Sequence, residues 1–180
     1  MGGDHRVERG NRIVRVGPVI YGADAEITGW VAKRIPGYVT SPGARALGVV
    51  KDGRIVAGVT YERFNGANIE ASIAAEPGAR WADRLVLHHI FAYPFLQLGV
   101  EAVTLLVALD NFASLNLATK LGFSQVAIVP FAAPGGAPLV ILQMYAEQCR
   151  WIGRGSDDSQ AVAQDPDEPQ PPPSDSQMSR

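Results

Sequence analysis

The stretch EAVTLLVALDNFASLNLATKLGF, residues 101–123, joins an apolar run to a short helix-like segment. Its first part belongs to residues 100–109, which are apolar at nearly every position and predict a central strand buried on both faces. The second part predicts a helix that ends at Gly122, because glycine readily adopts the left-handed conformation of a helix C-cap. Asn111 stands between the two. It can cap the helix, or present its side chain to a ligand at the end of the strand, and the residues alone leave both interpretations open.

The segments before this stretch predict a parallel pair of strands. Residues 81–99 show helical apolar spacing, with Pro94 expected to kink the last turn and Gly99 in the C-cap position. Residues 68–75 alternate between apolar and less apolar side chains, as a strand does. A helix of this length between two strands is a crossover connection, which makes strands 68–75 and 100–109 parallel neighbours.

Residues 45–75 predict an antiparallel meander of three strands. Asp52-Gly53 separates the first two apolar runs, and Asn65-Gly66 separates the second from the third. Dipeptides of this kind between alternating apolar segments are the strongest short hairpin signals in a sequence.

The remaining segments complete the expected fold. They are a strand at 12–19, a helix at 22–37 with Asp24 as a candidate N-cap, and a terminal antiparallel pair at 124–131 and 137–149. The order β–α–β–β–β–α–β–α–β–β predicts an α+β fold. We expect a mixed, mostly antiparallel sheet of about seven strands with helices on both faces.

Composition divides the 180 residues into three parts. Residues 156–180 hold six of the 18 acidic side chains and one of the 16 basic ones, lack aromatic residues and are rich in Pro and Ser, so we expect a disordered acidic tail. We expect residues 1–11 to be flexible and residues 12–155 to form one domain. Residues 1–155 keep 15 basic and 12 acidic side chains, an excess too mild to indicate a nucleic-acid-binding surface.

Cysteine and hydropathy patterns indicate the compartment. Cys149 is the only cysteine, which excludes an internal disulfide and favours a reducing compartment. The N-terminal residues lack the apolar core of a signal peptide, and no apolar run reaches the roughly 18–20 residues of a membrane span. We therefore expect a cytoplasmic protein without a membrane partner. His88 and His89 point about 100° apart on the predicted helix and cannot form an i, i+4 ligand pair, so no metal is expected.

The element order, together with the pattern N-x-x-S-x-x-x-x-x-K-L-G-F from Asn111 to Phe123, resembles the GNAT acyltransferase superfamily. The likeness covers roughly residues 12–150. The chain looks closest to small GNAT-like proteins of tailed phages and prophages, which would place it in the host cytoplasm. The phrases that carry this likeness are YERFNGANIEASIA (61–74), IFAYPFLQLG (90–99), KLGF (120–123) and MYAEQCRWI (144–152).

The resemblance implies a binding site for acetyl-CoA. In this family the strands that correspond to 68–75 and 102–109 separate at their carboxyl ends, and the pantetheine arm lies between them like an additional strand. By this resemblance Ile73, Ala74 and Ala75 would contact the cofactor. Asn111 and Ser114 would approach it from the helix that covers the mouth of the opening.

The stretch that should hold the pyrophosphate departs from the family pattern. GNAT proteins usually have a glycine-rich run before the helix, whereas EPGARWADR (76–84) contains one glycine. Arg80, Trp81 and Arg84, with the free N–H groups of the helix N-terminus, are therefore the candidates for this part of the cofactor. The two arginines can equally be ordinary solvated side chains.

The residues for proton transfer are also only partly retained. Many GNAT enzymes have a tyrosine on the helix after the Asn that protonates the leaving thiolate, and the matching position here is Ala118. Ser114 is the nearest hydroxyl and is the candidate acid. Glu70, on the strand that enters the opening and opposite to its apolar face, is the candidate base. It can also be an exposed residue on a polar strand face.

The acceptor side is the least specified part of the sequence. Tyr61, Glu62 and Asn68 lie on the meander and are candidates to line an acceptor groove. Tyr61 and Glu62 face opposite sides of their strand, so at most one of these two points into it. The reaction implied by the resemblance is acyl transfer to a primary amine of a small molecule or a protein; an aminated nucleobase is compatible but not indicated. The alternative is a GNAT-like binding module without catalysis. The terminal strands are candidates for pairing in a homodimer.

Overall fold

A three-stranded antiparallel meander forms the middle of the sheet, as the two turn dipeptides predict. At the first turn Asp52 and Gly53 have φ values of 49° and 73°, the left-handed geometry that aspartate and glycine adopt in tight hairpins. At the second turn Gly66 has φ of 96°, and the side-chain oxygen of Asn65 accepts the N–H of Asn68 at 2.7 Å. The predicted meander is confirmed.

The computed structural model describes residues 12–153, so the expectations for residues 1–11 and for the tail at 156–180 lie outside the described residues. Within 12–153 the strands are β1 (Val14–Val16), β2 (Val19–Tyr21), β3 (Arg45–Lys51), β4 (Arg54–Glu62), β5 (Asn68–Ala75), β6 (Ala102–Ala108), β7 (Ser124–Val129) and β8 (Leu139–Tyr145). The α-helices in this range are α1 (Asp24–Ala32), α2 (Arg84–Ala92) and α3 (Phe112–Leu121). None of these described helices is long and apolar enough to cross a membrane.

The strands form one sheet in the order β1-β2-β3-β4-β5-β6-β8-β7. Neighbouring strands are antiparallel except β5 and β6, which run parallel on either side of the α2 crossover. Helix α1 packs on one face of the sheet, and α2 and α3 pack on the other. The predicted α+β fold with a mixed, mostly antiparallel sheet is therefore confirmed.

The described part of the sheet has eight strands instead of about seven, because residues 12–19 contain a turn. β1 and β2 form a hairpin in which Val16 lies opposite Val19. Gly17 has φ of 57°, and Pro18 has no N–H to donate. The chain therefore reverses where the apolar pattern predicted one continuous strand.

Both long helices are shorter than the predicted ranges 22–37 and 81–99. Helix α1 ends at Ala32, after which the N–H of Arg34 bonds to the carbonyl of Val31, three residues back, at 2.9 Å. This tightening takes the chain out of α-helical geometry before the Pro-Gly stop is reached.

The start of α1 also differs from the prediction. Its N-cap is Ala23, and Asp24 is the first helical residue. The Asp24 carboxylate does not cap the helix, because it accepts the N–H of Ala46 at 2.7 Å and pairs with Arg45 at 3.0 Å. Asp24 thus ties the helix to the first residues of β3.

Helix α2 begins at Arg84 because Asp83 caps it, with its carboxylate accepting the N–H of Val86 at 2.9 Å. The last part of the predicted helix is a π-helical turn, Tyr93–Gln97. Pro94 lies inside it and lacks a backbone N–H, which fits the expected disruption of the final turn.

Helix α1 lies close to the sheet over a pair of glycines. Gly48 in β3 and Gly58 in β4 stand directly opposite each other. A Cβ atom on Gly48 would lie 2.4 Å from Cδ1 of Ile27, and one on Gly58 would lie 2.8 Å from Cγ2 of Val31. The helix can take this position only because both strands lack side chains there.

Candidate active site

The parallel strands β5 and β6 separate partway along their length. They pair at three positions only, Asn68 with Ala102, Ile69 with Val103 and Glu70 with Thr104. Both strands continue beyond these pairs, β5 for five more residues and β6 for four. Past the Glu70–Thr104 pair there is thus a gap between the carboxyl-terminal halves of the two strands, as the resemblance implies.

The direction of the backbone in β5 identifies the groups that face this gap. The carbonyl of Ala67 accepts the N–H of Ala102 on β6 at 3.1 Å, whereas the N–H of Glu76 donates to Val56 on β4 at 2.8 Å. Backbone groups alternate between the two edges along a strand, and the β4–β5 register has no shift. Odd-numbered residues of β5 therefore face β6, and even-numbered residues face β4.

This alternation decides which of the predicted cofactor-binding residues on β5 have backbone groups that face the gap. Ile73 and Ala75 present their N–H and C=O groups to the gap. Ala74 does not, because its backbone faces Gly58 of β4 and its buried side chain packs with α1. Ala71 also faces the gap and was absent from the sequence prediction, although the period of two along the strand could have identified it.

A row of polar side chains crosses the sheet at the inner end of the gap. Its members stand opposite one another on five successive strands, on the same face as α1: Glu62, Glu70, Thr104, Gln143 and Ser124. The Thr104 hydroxyl donates to the side-chain oxygen of Asn68 at 2.7 Å and accepts from Nε2 of Gln143 at 3.1 Å. Asn68 therefore supports this row. The sequence pointed to Glu62, Glu70 and Asn68 but not to the row members on β6, β7 and β8, because strand register across a crossover is not readable from sequence.

Glu70 is a largely buried carboxylate whose neighbours shift its pKa. Its side chain is 15% exposed and lies 3.2 Å from the Arg63 guanidinium. Burial raises the pKa of Glu70 above its ordinary value, the Arg63 guanidinium counteracts part of this, and the nearby Glu62 carboxylate adds to it. A carboxylate with a raised pKa is a better proton acceptor than an exposed glutamate.

Arg63 bridges two carboxylates. Its guanidinium lies 3.3 Å from Glu62, whose side chain is almost fully buried and also accepts the N–H of Ser41 at 2.6 Å. Arg63 has φ of 50°, which is uncommon for a residue other than glycine. Carboxylates directly opposite each other on neighbouring strands repel, so Glu62 and Glu70 need a shared cation. Nothing in the sequence pattern indicated this role for Arg63.

The structure confirms one of the two interpretations of Asn111, that it caps the following helix. Its side-chain oxygen accepts the N–H of Ser114 at 3.1 Å, so it is the N-cap of α3. Gly122 ends that helix with φ of 111°, as predicted. Because α3 follows β6, its first turn lies at the mouth of the gap. No described hydrogen bond uses the Asn111 amide nitrogen or the Ser114 hydroxyl, and both can still reach a ligand there.

The N-terminus of α2 lies after the carboxyl end of β5, where the pyrophosphate was expected. Arg80 and Arg84 are exposed there, and Nζ of Lys51 donates to the carbonyl of Arg80. Trp81 is buried in the core, where its indole contributes packing. The capping carboxylate of Asp83 brings a negative charge to the same place. Its position, directly before an apolar run, was a readable capping signal.

Tyr61 lies on the opposite face of the sheet from Glu70. Its hydroxyl donates to the carbonyl of Ile90 at 2.7 Å, and its ring packs against Tyr93 with 4.9 Å between centroids. The side chain is buried, but its ring forms part of the wall of two neighbouring cavities. Tyr61 and Glu70 are therefore not brought together in one site by direct contact.

Solved structures resemble this fold. An acetyltransferase of the GNAT family from Bacillus anthracis aligns with a TM-score of 0.55 at 12% identity, over 76% of this chain and 99% of that one. A chimera of the spermidine N-acetyltransferase SpeG from Vibrio cholerae and hSSAT aligns with a TM-score of 0.52 at 16% identity, over 74% and 82% of the two chains. The ribosomal-protein-S5-alanine acetyltransferase from Vibrio fischeri aligns with a TM-score of 0.50 at 13% identity, over 59% and 64%.

At these identities the likeness shows the fold. No known family matches the sequence, and no curated protein matches it. The fold is thus that of GNAT acetyltransferases, and the chemistry has to be argued from the site.

Proposed function

We propose that the protein is an acyl-CoA-dependent N-acyltransferase that uses acetyl-CoA and transfers its acyl group to a primary amine. The observation that carries the proposal is the gap between β5 and β6, with a partly buried carboxylate, Glu70, at its inner end. Structures with this fold include acetyltransferases for spermidine and for a ribosomal protein, which supports an amine acceptor and leaves its class open.

The residues fit the pantetheine arm of the cofactor. Ile73 and Ala75 offer backbone donors and acceptors along one edge of the gap, and the Ala71 carbonyl adds an acceptor. An arm that contains amides can bond to them as an additional strand would. At the phosphate end, Lys51, Arg80 and Arg84 supply positive charge that outweighs the carboxylate of Asp83. The helix N-terminus adds its partial positive charge.

The proposed chemistry uses few side chains. When bound, acetyl-CoA supplies the thioester carbon to which the amine nitrogen is joined. Glu70 takes a proton from the ammonium group, directly or through a water molecule, so that the nitrogen lone pair can form the new C–N bond as the C–S bond breaks. The nitrogen loses two protons in all: one reaches solvent through Glu70, and the other ends on the leaving sulfur.

The other predicted residues have supporting roles in this proposal. The Ser114 hydroxyl is the candidate donor to the leaving sulfur, since Ala118 is buried and has no proton to give. The Asn111 amide nitrogen orients the cofactor at the mouth of the gap while its oxygen caps α3. Asn68 holds Thr104 beside Glu70, and the Tyr61 ring forms a wall on the acceptor side. The likeness to phage proteins, the cytoplasmic location and the homodimer stay predictions from the sequence.

A second candidate is a GNAT-like binding module without catalysis. The observations that favour it are the absence of a glycine run before α2, the carboxylate of Asp83 at the helix N-terminus, and Ala118 in place of the usual acid. Calorimetric titration with acetyl-CoA, followed by detection of free thiol in the presence of a mixture of amines, separates the two. Binding with thiol release supports the enzyme, and binding without release in any amine mixture contradicts catalysis. The absence of binding at millimolar ligand removes the enzyme and supports the module, which does not depend on the cofactor.

Replacing Ala75 by proline tests the gap directly. The N–H of Ala75 faces the gap and not β4, so Ala75→Pro removes a donor for the cofactor while keeping the ladder to β4. We expect acetyl-CoA to bind about three- to tenfold more weakly, the effect of one lost hydrogen bond. Calorimetry measures the affinity, and thermal unfolding of the free protein checks the fold.

The matched control is Ala74→Pro, which removes an N–H that faces β4. This variant should unfold at a clearly lower temperature, because it breaks the ladder inside the sheet. Unchanged acetyl-CoA affinity in a folded Ala75→Pro protein would contradict the placement of the pantetheine arm along β5.

Replacing Asp83 by asparagine tests the phosphate end. Asparagine caps a helix about as well as aspartate, so the stability of α2 should be kept while a negative charge is removed. We expect CoA to bind about two- to fivefold more tightly in Asp83→Asn and more weakly by a similar factor in Arg84→Gln. If calorimetry shows neither change, the phosphates do not lie at the N-terminus of α2.

A further inference from the structure

Two cavities lie side by side where β4 ends, at the opposite end of β5 from the gap. Their volumes are about 290 and 390 Å³, and they share the walls Arg45, Tyr61 and Tyr93. We refer to the two together as the lower groove. Its position means that a molecule bound there would approach Glu70 from the side away from the cofactor.

Arg63 separates the lower groove from Glu70. It lines the larger cavity, while its guanidinium contacts the carboxylates of both Glu70 and Glu62. Its side chain is 53% exposed, so it can move away without disturbing the core. A guanidinium at this position marks a place where the protein needs one positive charge between two carboxylates.

The walls beside Arg63 are apolar and partly uncovered. Phe64 lines the larger cavity with 53% of its surface exposed, and Tyr93 and Leu98 form the neighbouring wall. When an exposed aromatic side chain packs against another flat group, both bury apolar surface, and the contact between the two faces is favourable.

The groove also disfavours a second positive charge. Arg45 belongs to the walls of both cavities, and its side chain is 58% exposed. Arg45 is paired with Asp24, which lines the smaller cavity, so a second ammonium group of a polycationic ligand would find there a carboxylate whose charge is already balanced. A ligand with one ammonium group and an uncharged body needs no such carboxylate.

We propose that the acceptor is a monoamine with a flat apolar body, which lies against Phe64 in the lower groove while its ammonium group replaces the Arg63 guanidinium between Glu62 and Glu70. The inference rests on the proposed N-acyltransferase function and names the class of its acceptor. It makes Arg63 a residue that occupies the amine position until an acceptor displaces it.

Binding of simple probes to the full-length protein tests the acceptor class without turnover. The probes are 2-phenylethylamine, its uncharged analogue 2-phenylethanol, and spermidine, each titrated by calorimetry with and without CoA. We expect 2-phenylethylamine to bind at least about tenfold more tightly than the other two. Tighter binding of spermidine, or equal binding of the alcohol and the amine, would overturn the proposal.

Variants locate the bound amine. Phe64→Ala should weaken 2-phenylethylamine binding by about tenfold, whereas Phe131→Ala, which removes a more exposed ring elsewhere, should leave it unchanged. Arg63→Gln should tighten binding several-fold, because the competing cation is gone and hydrogen-bonding capacity for the carboxylates is kept. Equal effects of the two Phe variants, or weaker binding in Arg63→Gln, would refute this placement.

The outcomes also separate this proposal from the function on which it rests. CoA binding without preference for 2-phenylethylamine would leave the N-acyltransferase in place and refute the monoamine acceptor. Binding of 2-phenylethylamine that depends on Phe64, in a protein that does not bind CoA, would support the groove as a site and refute the transferase.

Discussion

Glu70→Gln should lower kcat for acyl transfer by about 10²- to 10⁴-fold, the usual contribution of a positioned general base. Glutamine keeps the shape of the side chain and its place in the polar row but cannot accept a proton from the amine. The affinity for acetyl-CoA should hardly change, because none of the proposed cofactor contacts is made by the Glu70 side chain. Measuring kcat with excess acetyl-CoA and 2-phenylethylamine, together with calorimetry of CoA, tests both statements.

The pH dependence of the wild-type protein should carry the signature of this carboxylate. Burial raises the pKa of Glu70, and only the ionised form can act as a base, so kcat/KM should fall as the pH is lowered through that raised value. The acid limb should therefore lie at higher pH than for an ordinary glutamate. Arg63→Gln should move it higher still, since the guanidinium lowers the pKa of Glu70.

Glu147→Gln is the matched control, because this glutamate is exposed and lies outside the site. It should leave both kcat and the pH profile as they are. A Glu70→Gln enzyme that keeps more than about a tenth of its kcat would show that the proton is taken by another group.

Gly48→Val should destabilise the protein by about 1–3 kcal/mol, the usual cost of adding methylenes to a closely packed contact. The added side chain would stand where Ile27 of α1 now lies, and Ile20 closes the same space at 2.9 Å. To relieve the overlap, either the Ile27 and Ile20 side chains must leave their present positions in the packed contact or α1 must move away from β3. Urea or thermal unfolding measures the loss.

Gly29→Ala is the counterpart on the same helix. Nothing lies within 4 Å of a Cβ atom at Gly29, which is exposed. Alanine should stabilise α1 there by about 0.5–1 kcal/mol, because glycine is the poorer helix former. If Gly48→Val unfolds no more easily than the wild type, the close approach of α1 does not depend on the glycine pair.

Much of the fold was readable because it depends on local chemistry. The meander follows from Asp52-Gly53 and Asn65-Gly66, and the parallel pair from a crossover helix of sufficient length. The hairpin at residues 12–19 was missed because an apolar pattern does not show that Gly17 and Pro18 reverse the chain. The start of α1 was misplaced because Asp24 bonds to β3 and does not cap its own helix.

The site residues that the sequence identified are those whose position depends on a single strand or on a single helix start. Glu70 was identified because side chains alternate along β5, and Asn111 because the helix start is a local signal. Thr104 and Gln143 join the same row through strand register, and Arg63 enters the site through its positive φ, so none of the three could be derived from spacing in the sequence. Whether Asn111 also contacts the cofactor, beyond its confirmed capping role, is a prediction that the Asn111→Asp variant can address with the same calorimetry.

The short pairing of β5 with β6 has a mechanical consequence. Each of these strands is laddered along its whole remaining length to its other neighbour, β5 to β4 and β6 to β8. The described sheet thus has two halves joined at three paired positions, as few as join the edge strands β1 to β2 and β2 to β3, although this junction lies near the middle of the sheet. The apolar side chains of α2 belong to the same hydrophobic cluster as Ile69 of β5 and Val103 of β6. This cluster therefore adds to the cohesion between the two halves of the sheet.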